Sequence, residues 1–141
     1  MPETFQHTTR VEFRDTDAAG IVHFSVYFTY MEEAEHSLIK HLGLAVMMED
    51  EQGAFSWPRV AARCDYSAPL RFGEEVVIAT TIGKLGERSI TYHHEFLLNG
   101  KSVGSGEITT VCCGMGEDGS IRSRPIPDFV REKLQPYADQ P

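Results

Sequence analysis

Two carboxylates two residues apart, Asp15 and Asp17 in RDTDAAGIVHF (residues 14–24), raise the question of chemistry most directly. A metal, a phosphate, a turn and a reaction could each use them. An EF-hand loop starting at Asp15 needs an oxygen ligand at its fifth position and Glu at its twelfth, and these are Ala19 and Val26. The spaced His and Cys ligands of a zinc site are missing too, since His93 and His94 alternate faces of a strand. An aspartyl-phosphate phosphatase would use Asp15 as nucleophile and Asp17 as acid. It also requires a second acidic magnesium cluster and a parallel sheet, which one helix followed by an antiparallel tail does not supply. Turn formation, in which the side chain bonds nearby backbone, suits Asp15.

Asp17 has a further use because a helix is expected to open soon after it, with Ser25 as its N-cap. Such an end projects unpaired backbone N–H groups and partial positive charge back toward the loop. A carboxylate held there, against an apolar wall of Ile21, Val22 and Phe24, offers an attacking or activating group together with donors for a tetrahedral oxyanion. These are two elements of acyl transfer. Amides and alkyl esters expel poor leaving groups, whereas a thiol of pKa about 8.5 departs as thiolate without a positioned acid. A lone carboxylate with backbone donors therefore suits a thioester.

The elements that must position this loop follow from periodicity. Residues 8–14, TTRVEFR, alternate as a half-buried strand. From Ser25 to Leu42, Tyr27, Tyr30, Met31, Ala34, Leu38, Ile39 and Leu42 recur at helical spacing, and Gly43 ends the helix. MEDEQGAFS reads as a polar connection. Four strands come next, WPRVAARCDYSAPLRF, EEVVIATTIGKLG, RSITYHHEFLLN and KSVGSGEITTVCCGM, with an Asn-Gly hairpin turn joining the last two. IPDFVREKLQPY is expected as a short helix. One strand, one long helix and four strands make a single α+β domain over 1–141, with a five-stranded sheet covering the helix. A single helix leaves apolar sheet and an edge uncovered, so a homodimer or a dimer of dimers is expected.

The 141 residues suffice for one core without disulfides or metals, and 41% hydrophobic with 24% charged residues is ordinary for a globular chain. A net charge of −8 argues against nucleic-acid binding as the main function. Cys64, Cys112 and Cys113 are odd in number and form no CxxC pair, which fits reduced thiols in a cytoplasmic protein. The N-terminus lacks the pattern of a signal peptide, and no run approaches the ~18–20 apolar residues of a membrane span.

DTDAAGIVHFSVYFTYMEEAE (residues 15–35) resembles the signature of the hotdog-fold acyl-CoA thioesterases of the 4-hydroxybenzoyl-CoA thioesterase type, including the YbgC-like group. The matching residues are Asp15, Asp17, Gly20, Ile21, Val22, His23, Phe24, Tyr27, Glu32 and Ala34. The resemblance implies a helix wrapped by a curved antiparallel sheet, two protomers joining their sheets, and active sites at the dimer interface. It also implies that Asp17 is the catalytic nucleophile or general base and that the Phe24 N–H is the oxyanion donor, with Gly20 letting the chain approach closely. His23, Val22 and Tyr27 are expected at the acyl pocket. Arg88 and Ser89, in the GERS turn, match a position near the nucleotide of coenzyme A; Arg59, Arg63, Arg71, Arg122 and Arg124 are weaker candidates. No metal and no separate cofactor is implied, coenzyme A being part of the substrate.

The chain departs from the pattern at Glu35, where relatives often carry Arg, and at His23 and Phe24, where they carry a Tyr-His or Trp-Tyr pair. Glu32 or Glu33 is the fallback carboxylate, because another branch of the fold places its catalytic Glu on the helix. The competing readings are an enoyl-thioester hydratase or dehydratase and a non-catalytic acyl-CoA-binding module.

Overall fold

The long helix α1 spans Val26–His41 and buries Tyr27, Tyr30, Met31, Ala34, Leu38 and Ile39, as their spacing requires. This is a computed structural model, and it describes residues 1–139. Gly43, at φ +76°, ends the helix: its N–H and that of Leu44 return to the carbonyls of Lys40 and Ile39, both at 3.0 Å.

The start of α1 corrects the expected cap. Ser25 already has helical dihedrals, φ −72° and ψ −23°, and its side chain makes no capping bond. A capping residue needs a non-helical backbone to turn its oxygen onto the first N–H groups. The Ser25 hydroxyl instead lies 2.7 Å from His23 Nδ1, and the His23 carbonyl accepts the Val26 N–H at 2.9 Å. The chain thus begins to wind at His23.

The strands are β1 (Phe5–Arg10), β2 (Met48–Asp50), β3 (Gly53–Ser56), β4 (Arg59–Tyr66), β5 (Glu75–Leu85), β6 (Ser89–Leu98), β7 (Lys101–Val111), β8 (Cys113–Met115) and β9 (Ile121–Ser123). Five of them form an antiparallel sheet in the order β1-β5-β6-β7-β4. Its inner face is built from Val76, Ile78, Thr80 and Ile82 of β5 and Ile90, Tyr92, His94 and Phe96 of β6, all buried. Asn99 and Gly100, at φ 52° and 80°, make the hairpin between β6 and β7. A notch receives the helix at Gly106, where a Cβ would lie 2.5 Å from Met31 Sδ.

Four boundaries differ from the periodicity, the first in KSVGSGEITTVCCGM, which breaks at Cys112 into β7 of the main sheet and β8 of a second one. β1 runs over 5–10 because the chain then leaves it to pair with the 71–74 turn, Val11 donating to the Glu74 carbonyl at 2.8 Å and accepting from Gly73 at 2.9 Å. Phe13 consequently leaves the core, 75% exposed, and meets Phe72 edge-on at 5.9 Å. Only Arg59–Tyr66 of WPRVAARCDYSAPLRF is strand. MEDEQGAFS is not a plain connection: it forms β2 and β3, which join β8 and β9 in a second sheet of order β2-β3-β8-β9. Strands of three or four residues carry too little alternation to be read.

The second helix, α2 (Asp128–Leu134), closes the end of the core beneath this small sheet. The core has two parts. Leu38, Ile39, Phe55, Trp57, Ile90 and Leu134 belong to one; Val11, Val22, Tyr27, Met31, Leu70 and Phe96 belong to the other, under the Asp17 loop. Among the described residues no helix is long and apolar enough to cross a membrane, and all three cysteines are free.

Candidate active site

The loop between β1 and α1 is fastened from below by Asp15. Its Oδ2 accepts the Tyr30 hydroxyl at 2.9 Å and the Glu12 N–H at 2.9 Å, and its carbonyl accepts the His23 N–H at 2.9 Å. Burial first, and then the bond to Asp15, hold the Tyr30 phenol far above its ordinary pKa, so it remains a donor.

Asp17 sits on the turn that Asp15 anchors. Its N–H donates to the Ile21 carbonyl at 2.8 Å, its carbonyl accepts the Gly20 N–H at 2.9 Å, and its Oδ1 accepts the Ala19 N–H at 2.8 Å. No described residue bonds Oδ2, so one carboxylate oxygen is fixed and the other is free to act. Gly20 closes the turn at φ +81°, a conformation that costs other residues about 1–2 kcal/mol. A Cβ there would meet no protein atom within 4 Å, so within the chain itself the glycine serves the dihedral and not the packing.

A cavity of about 510 Å³ opens beside this turn, within the ordinary range of small-ligand sites. Asp17, Ile21, Val22, Phe24 and Tyr27 line one side, and Tyr66, Ser67, Ala68, Pro69 and Arg71 the other. The Tyr66 hydroxyl donates to the Phe24 carbonyl at 2.9 Å and ties β4 to the helix start. Burial first, then Cys64, push its pKa up to about 12, so it keeps that proton. The Tyr27 ring packs edge-on against Tyr66 at 4.8 Å and Phe96 at 5.2 Å. Among the described residues nothing bonds the Phe24 N–H, the donor expected for an oxyanion.

Of the residues singled out in the sequence, Asp17, Val22, Phe24 and Tyr27 come together in this wall. Gly20 and His23 do not line it. His23 is exposed and stacks on the Phe24 ring at 4.7 Å. Its Nδ1 accepts the Ser25 N–H at 3.2 Å, which leaves the ring proton on Nε2. Arg88 and Ser89 lie at the other end of the sheet. β6 begins at Ser89 and runs ten residues, about 30 Å, toward the Asp17 end, and Arg88 donates to the Ser123 carbonyl at 3.0 Å. Tyr66, Ser67, Ala68 and Pro69 were not anticipated, and Arg71 was only a weaker candidate for coenzyme A; the signal of this segment in the sequence is the Ser-Ala-Pro break after a strand.

The fallback carboxylates are engaged elsewhere. Glu35, 3% exposed, receives both its bonds from Arg59 Nη1, at 2.9 and 2.8 Å, and Arg59 Nη2 reaches Glu32 at 3.2 Å. Burial of Glu35 outweighs this pairing and holds its carboxyl above the usual range. Glu33 lies 3.6 Å from His7 Nε2. His94, fully buried, bonds Thr80 at 2.8 Å; burial first, then His93 and Arg59, lower its pKa to about 3 and keep it neutral.

Residues 11–134 match the family model described as the thioesterase-like superfamily. The chain is similar to a 1,4-dihydroxy-2-naphthoyl-CoA hydrolase of Synechococcus sp. (strain WH7803), 29% identical over 135 residues that cover 91% of this chain and 86% of that one. It is also similar to the solved structure of a gentisyl-coenzyme A thioesterase, with TM-score 0.78, 32% identity, and coverage of 92% and 98%. A 1,4-dihydroxy-2-naphthoyl-CoA thioesterase from Synechocystis superimposes with TM-score 0.82 at 23% identity, covering 94% and 96%, which speaks for the shared fold. The chain therefore belongs to the thioesterase-like superfamily, a family of thioester hydrolases.

Proposed function

We propose that the protein hydrolyses an aromatic, hydroxylated acyl-CoA to the free acid and coenzyme A at the cavity beside Asp17. The observation that carries this reading is a carboxylate with one oxygen pinned and one free, in the same apolar wall as the unbonded Phe24 N–H. The acyl class is supported by the aromatic lining of Phe24, Tyr27 and Tyr66 and by the names of the similar proteins.

Asp17 either attacks the thioester carbonyl or takes a proton from the water that does. The carbonyl oxygen gathers negative charge, which the Phe24 N–H at the positive end of α1 stabilises. Collapse of the tetrahedral centre breaks the C–S bond, and coenzyme A leaves as thiolate. In the nucleophilic route water then hydrolyses the mixed anhydride on Asp17.

The working form in this reading is a homodimer with the curved, helix-wrapped sheet of the hotdog fold. β4 is a sheet edge, with Val60 62% and Tyr66 44% exposed. Antiparallel pairing of two such edges sets the Arg59 end of one strand beside the Tyr66 end of the other. The end of the sheet that carries the partner's Arg88 and the partner's Ser89 then approaches the Asp17 cavity, so those residues serve coenzyme A across the interface.

Thiol release from a panel of acyl-CoAs, by wild type and Asp17→Asn, tests the assignment. Wild type is expected to turn over and the variant to lose about 10²- to 10⁴-fold in kcat. Undiminished release by Asp17→Asn would refute the role of Asp17, and hydration of an enoyl-CoA would favour the hydratase.

A further inference from the structure

The Asp17 cavity contains one cation, Arg71, to which the hydrolytic chemistry assigns no work. Its side chain is exposed at the cavity's edge, but its backbone is firmly held. Leu70 before it is fully buried, and the Leu70 carbonyl accepts the Val22 N–H at 2.8 Å. The Arg71 N–H donates to Glu74 Oε1 at 2.6 Å, its carbonyl accepts the Glu74 N–H at 3.1 Å, and Gly73 completes the turn at φ +86°. While its backbone is fixed in this way, its guanidinium has no hydrogen bond or ion pair with any described residue. Arg59, Arg88, Arg124 and Arg131 spend theirs on groups of the protein, whereas Arg14 and Arg122, like Arg71, show none among the described residues, but neither lines this cavity.

An unspent planar donor at the edge of a largely apolar cavity can recognise an oxygen anion or hydroxyl of the bound molecule. An acyl-CoA offers two such sources, the phosphates of the nucleotide and oxygens on the acyl group. The pantetheine arm carries three amide-linked units between sulfur and diphosphate, which at about 3.5 Å or more per unit separates them by over ~10 Å. The cavity is only roughly 10 Å across if compact, given its 510 Å³. A thioester seated at Asp17 therefore leaves the phosphates outside, and an oxygen on the acyl ring inside.

We propose that Arg71 is the residue that selects the acyl group, by hydrogen-bonding a phenolic or carboxylic oxygen on its ring; the proposal rests on the thioesterase reading of the cavity. Removing a charged hydrogen bond to a substrate oxygen costs about 10- to 100-fold in discrimination.

The test compares benzoyl-CoA with 2,5-dihydroxybenzoyl-CoA and 4-hydroxybenzoyl-CoA in wild type, Arg71→Ala and Arg71→Lys. Each is scored by kcat/KM for thiol release and by product inhibition with free coenzyme A. The ratio of hydroxylated to plain substrate is expected to fall about 10- to 100-fold in Arg71→Ala, with partial recovery in Arg71→Lys and unaltered inhibition by coenzyme A. An equal fall for every acyl group, with weaker inhibition by coenzyme A, would overturn the proposal and assign Arg71 to a phosphate. An unchanged ratio would also overturn it. If wild type binds these compounds without releasing thiol, the hydrolase reading fails, and the same ratio, read from Kd by calorimetry, still decides the role of Arg71.

Discussion

The two ends of the main sheet use the same kinds of residue in opposite ways. At the Glu35 end every charge that enters the protein finds a partner: Glu35 and Glu32 take Arg59, Asp50 takes Arg124, and Arg124 lies 4.8 Å over the Phe55 ring. At the Asp17 end a carboxylate oxygen, a backbone N–H and a guanidinium stand without partners around one cavity. Residue type does not separate the two, since each has acids, arginines and aromatics. Location does: among the described residues the closed end buries Trp57 Nε1, Thr110 Oγ1 and Arg124 Nε without partners but inside packed core, whereas the open groups at the Asp17 end line a hollow that a ligand can enter.

Glu35→Ala should break this contrast most strongly, apart from Asp17→Asn itself, by leaving Arg59 half-buried without its main partner. A loss of about 2–4 kcal/mol in stability is expected in denaturant titration, with Glu35→Gln losing less. A loss below about 0.5 kcal/mol would show that the pair is dispensable and that the two ends do not differ as described.

Asp15→Asn sharpens the comparison at the other end, because it weakens the bond from Tyr30 without touching the cavity wall. We expect kcat to fall about 10-fold with KM little changed, and stability to fall about 1 kcal/mol. Tyr30→Phe, which removes the same bond from its other side, should reproduce the kcat effect. A change confined to stability would make Asp15 purely structural.

The smallest effect concerns acid. Arg124 holds the Asp50 carboxyl below the usual range, so the pair stabilises the folded state above the ordinary carboxylate pKa of about 3.8. That stabilisation is lost as pH falls through the lowered, folded value. Trp57, which packs 6.3 Å from Phe55 in the small-sheet half, reports the loss. Its fluorescence should respond to acid at a higher pH in Asp50→Asn than in wild type if other groups set the remaining transition, and an identical titration would dismiss the pair.

Much of this was readable in the sequence where the signal was long and periodic. α1, the inner faces of β5 and β6, and the Asn-Gly hairpin repeat one pattern over many residues, so local preference and tertiary packing agree. β2, β3, β8 and β9 were not readable, because each is three or four residues and exists only through its neighbours. In the site, Asp17, Val22, Phe24 and Tyr27 could be found because they lie within eleven residues of one another. Tyr66 could not, and Arg71 was only one of several candidate cations, since only folding brings their loop across from β4. Arg88 lies far from Asp17 of its own chain for the converse reason: a motif fixes a residue in sequence, while the end of the sheet it occupies depends on strand direction.

The notch at Gly106 gives the molecule a fulcrum. With Met31 seated in it, the helix makes its closest approach to a sheet glycine seven residues from Phe24, or about 10 Å along the axis. A side chain at that point would pry the helix from its seat, and the far end of the lever is the helix start at Phe24, in the cavity wall that also holds Asp17. The shape of the cavity wall is thus set partly by an atom that is missing, at a position with no charge, no polarity and no place in the lining.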